Sequence, residues 1–302
     1  MTLSRPTSDQ PQTPAQNAWT TRSLLSWMSS AFAEKNLDSP RLLAEMLLAH
    51  TLGCDRMRLY MDADRPANED ERARLRAMVS RALRHEPVQY LISEAWFFSM
   101  PFFVDRRVLV PRPSTETIVE TVIQTARAID GPLRIADICT GSGCISVALA
   151  KHLRNTTIDA TDISDDALTV AALNAERHAV TPAIRFHQGD LLEPLPDSPG
   201  YDFLVSNPPY IPDHEWDSVE PNVKDHEPER ALRAGPDGLD LIRPLLDRAP
   251  DHLAAGGMLL IEIASCNSER VLDLAKSDAR LAEPLILNDF EGLPRVLQAR
   301  RA

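Results

Sequence analysis

The spacing of apolar residues changes along the chain, and it is helical in the first part. The segment "SPRLLAEMLLAHTLG" begins with a Ser-Pro pair and closes at Gly53, which are common start and stop signals of a helix. In "NEDERARLRAMVSRALRHEP" the acidic residues come first and arginines follow, which suits the helix dipole, and Pro87 is expected to end the helix. From Ser23 to about Arg84 the pattern therefore predicts a bundle of four or five helices.

A second pattern begins after this region. The segment "AWFFSMPFFVDRRVLVPRPSTE" is rich in aromatic and β-branched residues and predicts a short β-hairpin. From about Glu116 onward, strand-like runs alternate with helix-like runs; the predicted strands are "LRIADICT", "TTIDATDIS", "AIRFHQGD", "YDFLVSN" and "GGMLLIEIA". This alternation predicts an α/β fold with a parallel sheet covered on both faces. The runs "PLILND" and "PRVLQARR" are too close together for a parallel crossover, so they pair antiparallel or splay apart.

These patterns divide the chain into four parts. Residues 1–18 are rich in Ser, Thr, Pro and Gln and predict a disordered tail. Residues 19–90 form the predicted helical domain, residues 91–115 the hairpin linker, and residues 116–302 the α/β domain.

The composition is that of a globular protein and excludes several classes. The 302 residues are 43% hydrophobic and 25% charged, and they contain neither a membrane-spanning apolar run nor a secretory signal. The four cysteines lack CxxC spacing and the histidines lack metal-binding spacing, so we expect a reduced, cytoplasmic protein with buried thiols and no metal. The net charge of −12 disfavours a broad nucleic-acid-binding face, leaves room for a local basic groove and suits a basic partner.

A glycine-rich turn, "ADICTGSGCIS", joins the first predicted strand of the sheet to its helix. Such a turn brings backbone N–H groups and a helix N-terminus close to a ligand, at the strand end where α/β proteins bind ligands. Gly141 and Gly143 fit a dinucleotide fingerprint, but Ser146 stands at its third glycine position, so NAD fits poorly. A P-loop is excluded because no Gly-Lys-Ser/Thr sequence follows. The alternative is that the turn only connects a strand to a helix.

Two acidic residues flank this turn in the predicted fold. Asp162 ends the second strand, where a carboxylate can accept from two ribose hydroxyls. Asp137 precedes the turn and is expected to face a positive group such as an amino-acid ammonium. A nucleoside that carries an amino acid and no phosphates needs this pair, and S-adenosylmethionine is such a molecule.

The segment "SNPPYIP" follows the fourth predicted strand of the sheet. Pro208 and Pro209 fix φ and keep Asn207 extended, so the segment is stiff and rich in acceptors. The Asn207 side-chain oxygen and the Pro208 carbonyl could accept from one planar NH2 group, and Tyr210 could stack on it. This suits a methyl acceptor of the amide or exocyclic-amine type, activated by positioning and electrostatics without a strong general base. The alternative is a turn that only terminates a strand.

"DICTGSGCISVALA" together with "SNPPYIP" resembles the HemK/Prm group of protein glutamine-N5 methyltransferases. The segments "AEMLLAHTLGCDRMRLYMDADRP" and "RALRHEPVQYL" resemble its substrate-binding domain, and "VLVPRPSTETIVE" resembles the beginning of its catalytic domain. The resemblance implies a class I, Rossmann-like S-adenosylmethionine-dependent methyltransferase. Its sheet would have seven mostly parallel strands with an antiparallel C-terminal strand, next to an N-terminal helical bundle that binds the substrate.

The resemblance also implies roles for individual residues. Asn207, Pro208, Pro209 and Tyr210 would hold the substrate glutamine, and the catalytic residues among them would be Asn207, Pro208 and Tyr210. With the two acids above, the expected cofactor-binding residues are Asp137, Cys139, Thr140, Gly141, Ser142, Gly143, Asp162, Asp190, Leu191 and Asn207.

The implied substrate is the Gly-Gly-Gln loop of a peptide chain release factor, with ribosomal protein L3 as an alternative. Cys139 stands where the release-factor branch usually has Gly, and "CTGSGC" and "AWFFSMPFFVDRRVLVPR" favour the L3 branch. The helical domain, "RHEPVQYL" and "RPSTE" favour the release-factor branch.

The sequence leaves alternatives open for the activity and for two side chains. Methylation of a flipped adenine fits the same motif, but the negative charge and the acidic segment after the motif disfavour nucleic acid as a stable partner. A non-enzymatic nucleoside-binding protein would not need the acceptor-rich segment. Glu262 either orients a catalytic group or is an exposed acid, and Arg112 either forms a structural ion pair or helps to dock the substrate.

Overall fold

The computed structural model of the protein describes residues 19–196 and 200–302. The predicted tail over residues 1–18 lies outside the described residues. The chain separates into two compact units, one up to Ile92 and one from Ser93 to Ala302.

The first unit consists of helices, as the apolar spacing predicts. Its helices are α1 (Thr21–Glu34), α2 (Pro40–Leu52), α3 (Arg56–Met61), α4 (Glu69–Ala82) and α5 (Val88–Ile92). Helix α2 ends at Gly53, whose φ of 62° is left-handed, so the predicted stop signal is confirmed. The prediction that Pro87 ends α4 is wrong, because the helix closes earlier: His85 is already left-handed and the Glu86 N–H donates to the Arg81 carbonyl.

The second unit begins with the predicted hairpin, which is formed by β1 (Ala95–Phe97) and β2 (Met100–Phe102). Its two turn residues, Phe98 and Ser99, both have positive φ, as the twist of a two-residue hairpin requires.

A seven-stranded sheet forms the centre of this unit. Its strands are β3 (Leu133–Ile138), β4 (Thr156–Asp162), β5 (Ile184–Gln188), β6 (Tyr201–Ser206), β7 (Leu253–Glu262), β8 (Leu281–Asn288) and β9 (Pro294–Arg301). The spatial order is β5-β4-β3-β6-β7-β9-β8, and β9 runs antiparallel to both of its neighbours. The predicted mostly parallel sheet with an antiparallel C-terminal strand is therefore confirmed.

Helices cover both faces of the sheet. They are α6 (Glu116–Ala126), α7 (Cys144–His152), α8 (Asp165–Arg177), α10 (Ile242–His252) and α11 (Ser268–Ser277). The short helix α9 (Pro221–Lys224) has no buried residue. Alternate residues of each strand enter two cores: Phe203 and Leu260 pack on the side of α6 and α7, whereas Leu204 and Leu259 pack on the side of α10 and α11. By the same alternation, the last residue of β7, Glu262, is expected on the α6 side.

Candidate functional site

A cavity of about 400 Å³ opens at the carboxyl edge of the sheet, where the parallel strands end. The segment before α6, the turn after β3, and the residues that follow β4, β5 and β6 all contribute to its wall. The predicted cofactor residues that line it are Cys139, Thr140, Gly141, Ser142, Asp162, Asp190, Leu191 and Asn207. Pro209 also lines the cavity, whereas Pro208, Tyr210, Asp137 and Gly143 lie outside its lining.

Hydrogen bonds to β4 fix the glycine-rich turn after β3. The Thr140 N–H donates to the Thr161 carbonyl over 2.9 Å, and the Gly141 N–H donates to Asp162 Oδ2 over 2.9 Å. Cys139 has a φ of 60°, the left-handed conformation that glycine adopts most easily. Cys139 therefore holds the backbone shape of a glycine position at a steric cost.

Asp162 connects the turn to the segment beyond β4. Its Oδ2 accepts from the Gly141 N–H and its Oδ1 accepts from the Ser164 N–H, also over 2.9 Å. Burial raises the pKa of this carboxyl group, and the two backbone donors oppose the shift. Because each carboxylate oxygen can accept more than one hydrogen bond, Asp162 keeps acceptor capacity for hydroxyl groups in the cavity that it lines.

Asp137 lies beneath the turn and does not line the cavity. The sequence predicted that it faces a positive group of the cofactor. Its Oδ2 accepts from Thr140 Oγ1 over 2.7 Å, from Ser146 Oγ over 2.6 Å and from the Ser146 N–H. Its Oδ1 has no hydrogen-bond partner among the residues that the structure describes. Complete burial raises the pKa of Asp137 to about 6. Ser146, which breaks the dinucleotide fingerprint, thus serves to hold this carboxylate.

Asn207 belongs to a hydrogen-bonded network behind the cavity wall. Its Nδ2 donates to Thr115 Oγ1 over 3.0 Å, and Thr115 Oγ1 donates to Glu262 Oε2 over 2.6 Å. Glu262 Oε1 accepts from Ser114 Oγ over 3.1 Å and from the Tyr210 hydroxyl over 3.2 Å. Glu262 is 0% exposed, so it is not the exposed acid that the sequence left open. Thr115 and Ser114 were not predicted as site residues, since nothing in their spacing marks their partners.

Arg112 forms an ion pair that joins two walls of the cavity. Its guanidinium donates to Glu227 Oε1 over 2.5 Å, and the Val110 N–H donates to Glu227 Oε2 over 3.1 Å. Glu227 is buried, which raises its pKa, and the neighbouring guanidinium opposes that shift. Of the two roles that the sequence left open for Arg112, the structure supports the ion pair.

Other expectations concern thiols, metals and membranes. Cys144 is buried and Cys54 and Cys139 are half-buried, but Cys266 is exposed, so the prediction of buried thiols is wrong for Cys266. Within residues 19–196 and 200–302, no cluster of metal-binding side chains occurs. No helix in the same ranges has the length and apolarity needed to cross a bilayer.

Comparison with known proteins identifies the family. Residues 23–92 match the family model of the PrmC N-terminal domain, and residues 114–224 match that of the Methyltransferase small domain. A release factor glutamine methyltransferase from Chlorobaculum tepidum is 40% identical over 292 residues, which cover 94% of this chain and 98% of that protein. The chain belongs to the family of release factor glutamine methyltransferases.

Two further members of this family are similar over nearly the whole chain. The release factor glutamine methyltransferase of Geobacter sulfurreducens is 38% identical and covers 93% of this chain and 97% of its own. That of Bacillus subtilis is 36% identical and covers 91% of this chain and 96% of its own. The family expectation from the sequence motifs is confirmed, and with it S-adenosylmethionine as the methyl donor.

The cavity fits this donor in size and in chemistry. Its volume is in the range of small-molecule sites, the turn after β3 lines it, and Asp162 presents acceptors for ribose hydroxyls. Asp190 and Leu191 line the cavity after β5, where the family resemblance puts the adenine.

The raised pKa of Asp137 predicts that the stability of the folded protein depends on pH. Asp137 binds its proton more tightly in the folded state, so the folded protein loses stability relative to the unfolded chain as pH rises from the ordinary 3.8 through about 6. We expect the free energy of unfolding of Asp137→Asn, minus that of the unchanged protein, to increase by roughly 2 kcal/mol between pH 4 and pH 7. Urea unfolding across this range measures the difference, and a difference independent of pH would contradict the expectation.

Gly143 generates a second test. Its φ is 77°, and an added Cβ would lie 3.0 Å from Ala171 Cβ and 3.1 Å from Ala171 Cα, so the turn would have to move away from α8. We expect Gly143→Ala to weaken S-adenosylmethionine binding, measured by calorimetry, by at least about tenfold. Gly53→Ala is the control, because Gly53 has a similar φ of 62° but no atom within 4 Å of its added Cβ. Equal affinities in the two variants would show that the packing of the turn against α8 does not govern cofactor binding.

Proposed function

We propose that this protein transfers a methyl group from S-adenosylmethionine to the side-chain amide nitrogen of a glutamine in a peptide chain release factor. The observation that carries the proposal is Asn207, which follows β6 at the wall of the cofactor cavity with its side-chain amide anchored to Thr115. Relatives with this named activity cover nearly the whole chain at up to 40% identity.

The chain's own groups orient the acceptor. Asn207 Oδ1 and the Pro208 carbonyl accept the two hydrogens of the glutamine NH2 group, and the two prolines hold these acceptors on a stiff backbone. This arrangement aligns the nitrogen lone pair with the methyl group and favours its localisation on nitrogen instead of its delocalisation over the amide. Much of the rate enhancement therefore comes from positioning.

The bound donor supplies a methyl group on a sulfonium: the nitrogen lone pair forms the new N–C bond, the C–S bond breaks, and sulfur keeps that electron pair as a neutral thioether. The methylated nitrogen is then positively charged and acidic, and it loses one proton to water. The protein needs no strong base for this step, and Asn207 and Pro208 provide none.

The assignment of the two domains is part of the proposal. Residues 19–90 bind the release factor, and residues 116–302 perform the transfer. The match of residues 23–92 to the family model of the PrmC N-terminal domain supports a separate role for the helical domain. The net charge of −12 and the acidic residues after the Asn-Pro-Pro-Tyr segment favour a protein acceptor over nucleic acid.

Replacing Asn207 tests the acceptor clamp. Asn207→Ala removes one of the two acceptors, and we expect the rate of methyl transfer to fall on the order of 100-fold or more. The affinity for S-adenosylmethionine should change little, because the turn after β3 and Asp162 are untouched. The assay uses labelled S-adenosylmethionine and a full-length release factor, with calorimetry for the cofactor. Asn288→Ala, an exposed asparagine at the end of β8, is the control. Parallel loss of transfer and cofactor binding would contradict the role of Asn207.

The same assay decides the substrate. A release factor with its Gly-Gly-Gln loop should be labelled, and the label should disappear when that glutamine is replaced. Labelling of ribosomal protein L3 without labelling of release factors would overturn the choice of substrate. Labelling of nucleic acid alone would overturn the proposal of a protein substrate.

A further inference from the structure

A buried chain of hydrogen bonds runs from Glu262 through Thr115 to Asn207. The three residues are distant in sequence: Thr115 lies 147 positions from Glu262 and 92 from Asn207. Glu262 and Thr115 are 0% and 1% exposed, so water does not compete for these contacts. The hydrogen-bond chain ends at Asn207, which also lines the cofactor cavity, as Thr115 does.

The direction of the chain follows from counting protons. The Thr115 hydroxyl has a single proton, and over 2.6 Å that proton goes to the carboxylate oxygen Glu262 Oε2. The Thr115 oxygen can then only accept from Asn207, which requires the NH2 side of the Asn207 amide to face it. The carbonyl oxygen of Asn207 is therefore on the opposite side of the planar group, available to a donor in the cavity.

This constraint matters because an asparagine amide has no intrinsic preference between its two orientations. Its oxygen and its NH2 group have nearly the same shape, and only the surrounding partners decide between them. A turned amide would present NH2 to the NH2 group of the substrate glutamine, so that two donors would face each other without an acceptor. Pro208 and Pro209 restrain the backbone, but they do not select the orientation of the amide.

We propose that Glu262, acting through the Thr115 hydroxyl, orients the Asn207 amide so that its oxygen faces the substrate amide. Glu262 is thus a positioning residue for the methyl transfer, and this inference rests on the function proposed above. The relay consists of Glu262, Thr115 and Asn207.

The surroundings of Glu262 are suited to this role. Burial raises the pKa of its carboxyl group, but hydrogen bonds from Thr115, Ser114 and Tyr210 oppose the shift, as does the positive charge of Arg295 on β9. The carboxylate accepts hydrogen bonds at both of its oxygens. Ser114 donates to the same carboxylate, but the hydrogen bond of Asn207 goes to Thr115, so Ser114 provides a natural control.

Variants of Thr115 test the relay directly. Thr115→Val keeps the branched shape but removes the hydroxyl, and we expect kcat for release-factor methylation to fall on the order of 100-fold. The affinity for S-adenosylmethionine should stay unchanged. Thr115→Ser retains the hydroxyl and should recover most of the activity, and Ser114→Ala should lower kcat by no more than about threefold.

The link to Glu262 is tested by a double-mutant cycle. Glu262→Met has a similar length but no acceptor, so it frees the Thr115 proton and should lower kcat about as much as Thr115→Val. If Glu262 acts through Thr115, combining the two changes should add little further loss. Multiplied losses in the double variant, or full activity of Thr115→Val, would overturn the relay.

The unchanged protein separates the two hypotheses in the same experiment. If it fails to label the release factor, the proposed function fails. If it labels the release factor and Thr115→Val labels it equally fast, only the relay fails. Thermal unfolding and calorimetry with S-adenosylmethionine show that each variant is folded.

Discussion

Two carboxylates without access to water organise the carboxyl edge of the sheet. Asp137 and Glu262 are both completely buried, and hydrogen-bond donors lower the free-energy cost of burying a charge. The donors to Asp137 come from the cofactor turn and the start of α7. Those to Glu262 come from the segment before α6 and from Tyr210. Compensating these two charges therefore shapes the cofactor site and the acceptor site.

The two halves of the site are stiffened in different ways. At the cofactor turn, hydrogen bonds between backbone and side chains fix the main chain, and even Cys139 accepts a left-handed conformation there. At the acceptor site, prolines fix the main chain and hydrogen bonds determine the side chain of Asn207. Methyl transfer needs both kinds of order, because its rate depends on the distance and alignment of two bound molecules.

The sequence predicted the parts of the structure that short segments determine. The alternation of strands and helices, the turn after β3 and the Asn-Pro-Pro-Tyr segment are local patterns, and they located the cavity. Helix α11 was not predicted. Helix α4 ends before Pro87 because His85 adopts a left-handed conformation, which no local sequence pattern indicates. Thr115 and Glu262 could not be paired from the sequence, because their contact spans 147 residues and depends on the assembled sheet.

The separation of these contacts along the chain has a consequence for folding. The cofactor turn and Asp162 belong to one continuous segment that consists of β3, α7 and β4. The acceptor site instead requires β6, β7 and the segment before α6 to be in place together. Contacts between segments that are distant in sequence form slowly, because a long loop must close before they stabilise the fold. An intermediate with a completed β3–α7–β4 unit would contain the turn and Asp162 but would lack both the wall after β5 and an ordered acceptor clamp. Methyl transfer therefore requires the completed domain, whereas the hydrogen bond between Gly141 and Asp162 requires only its first part.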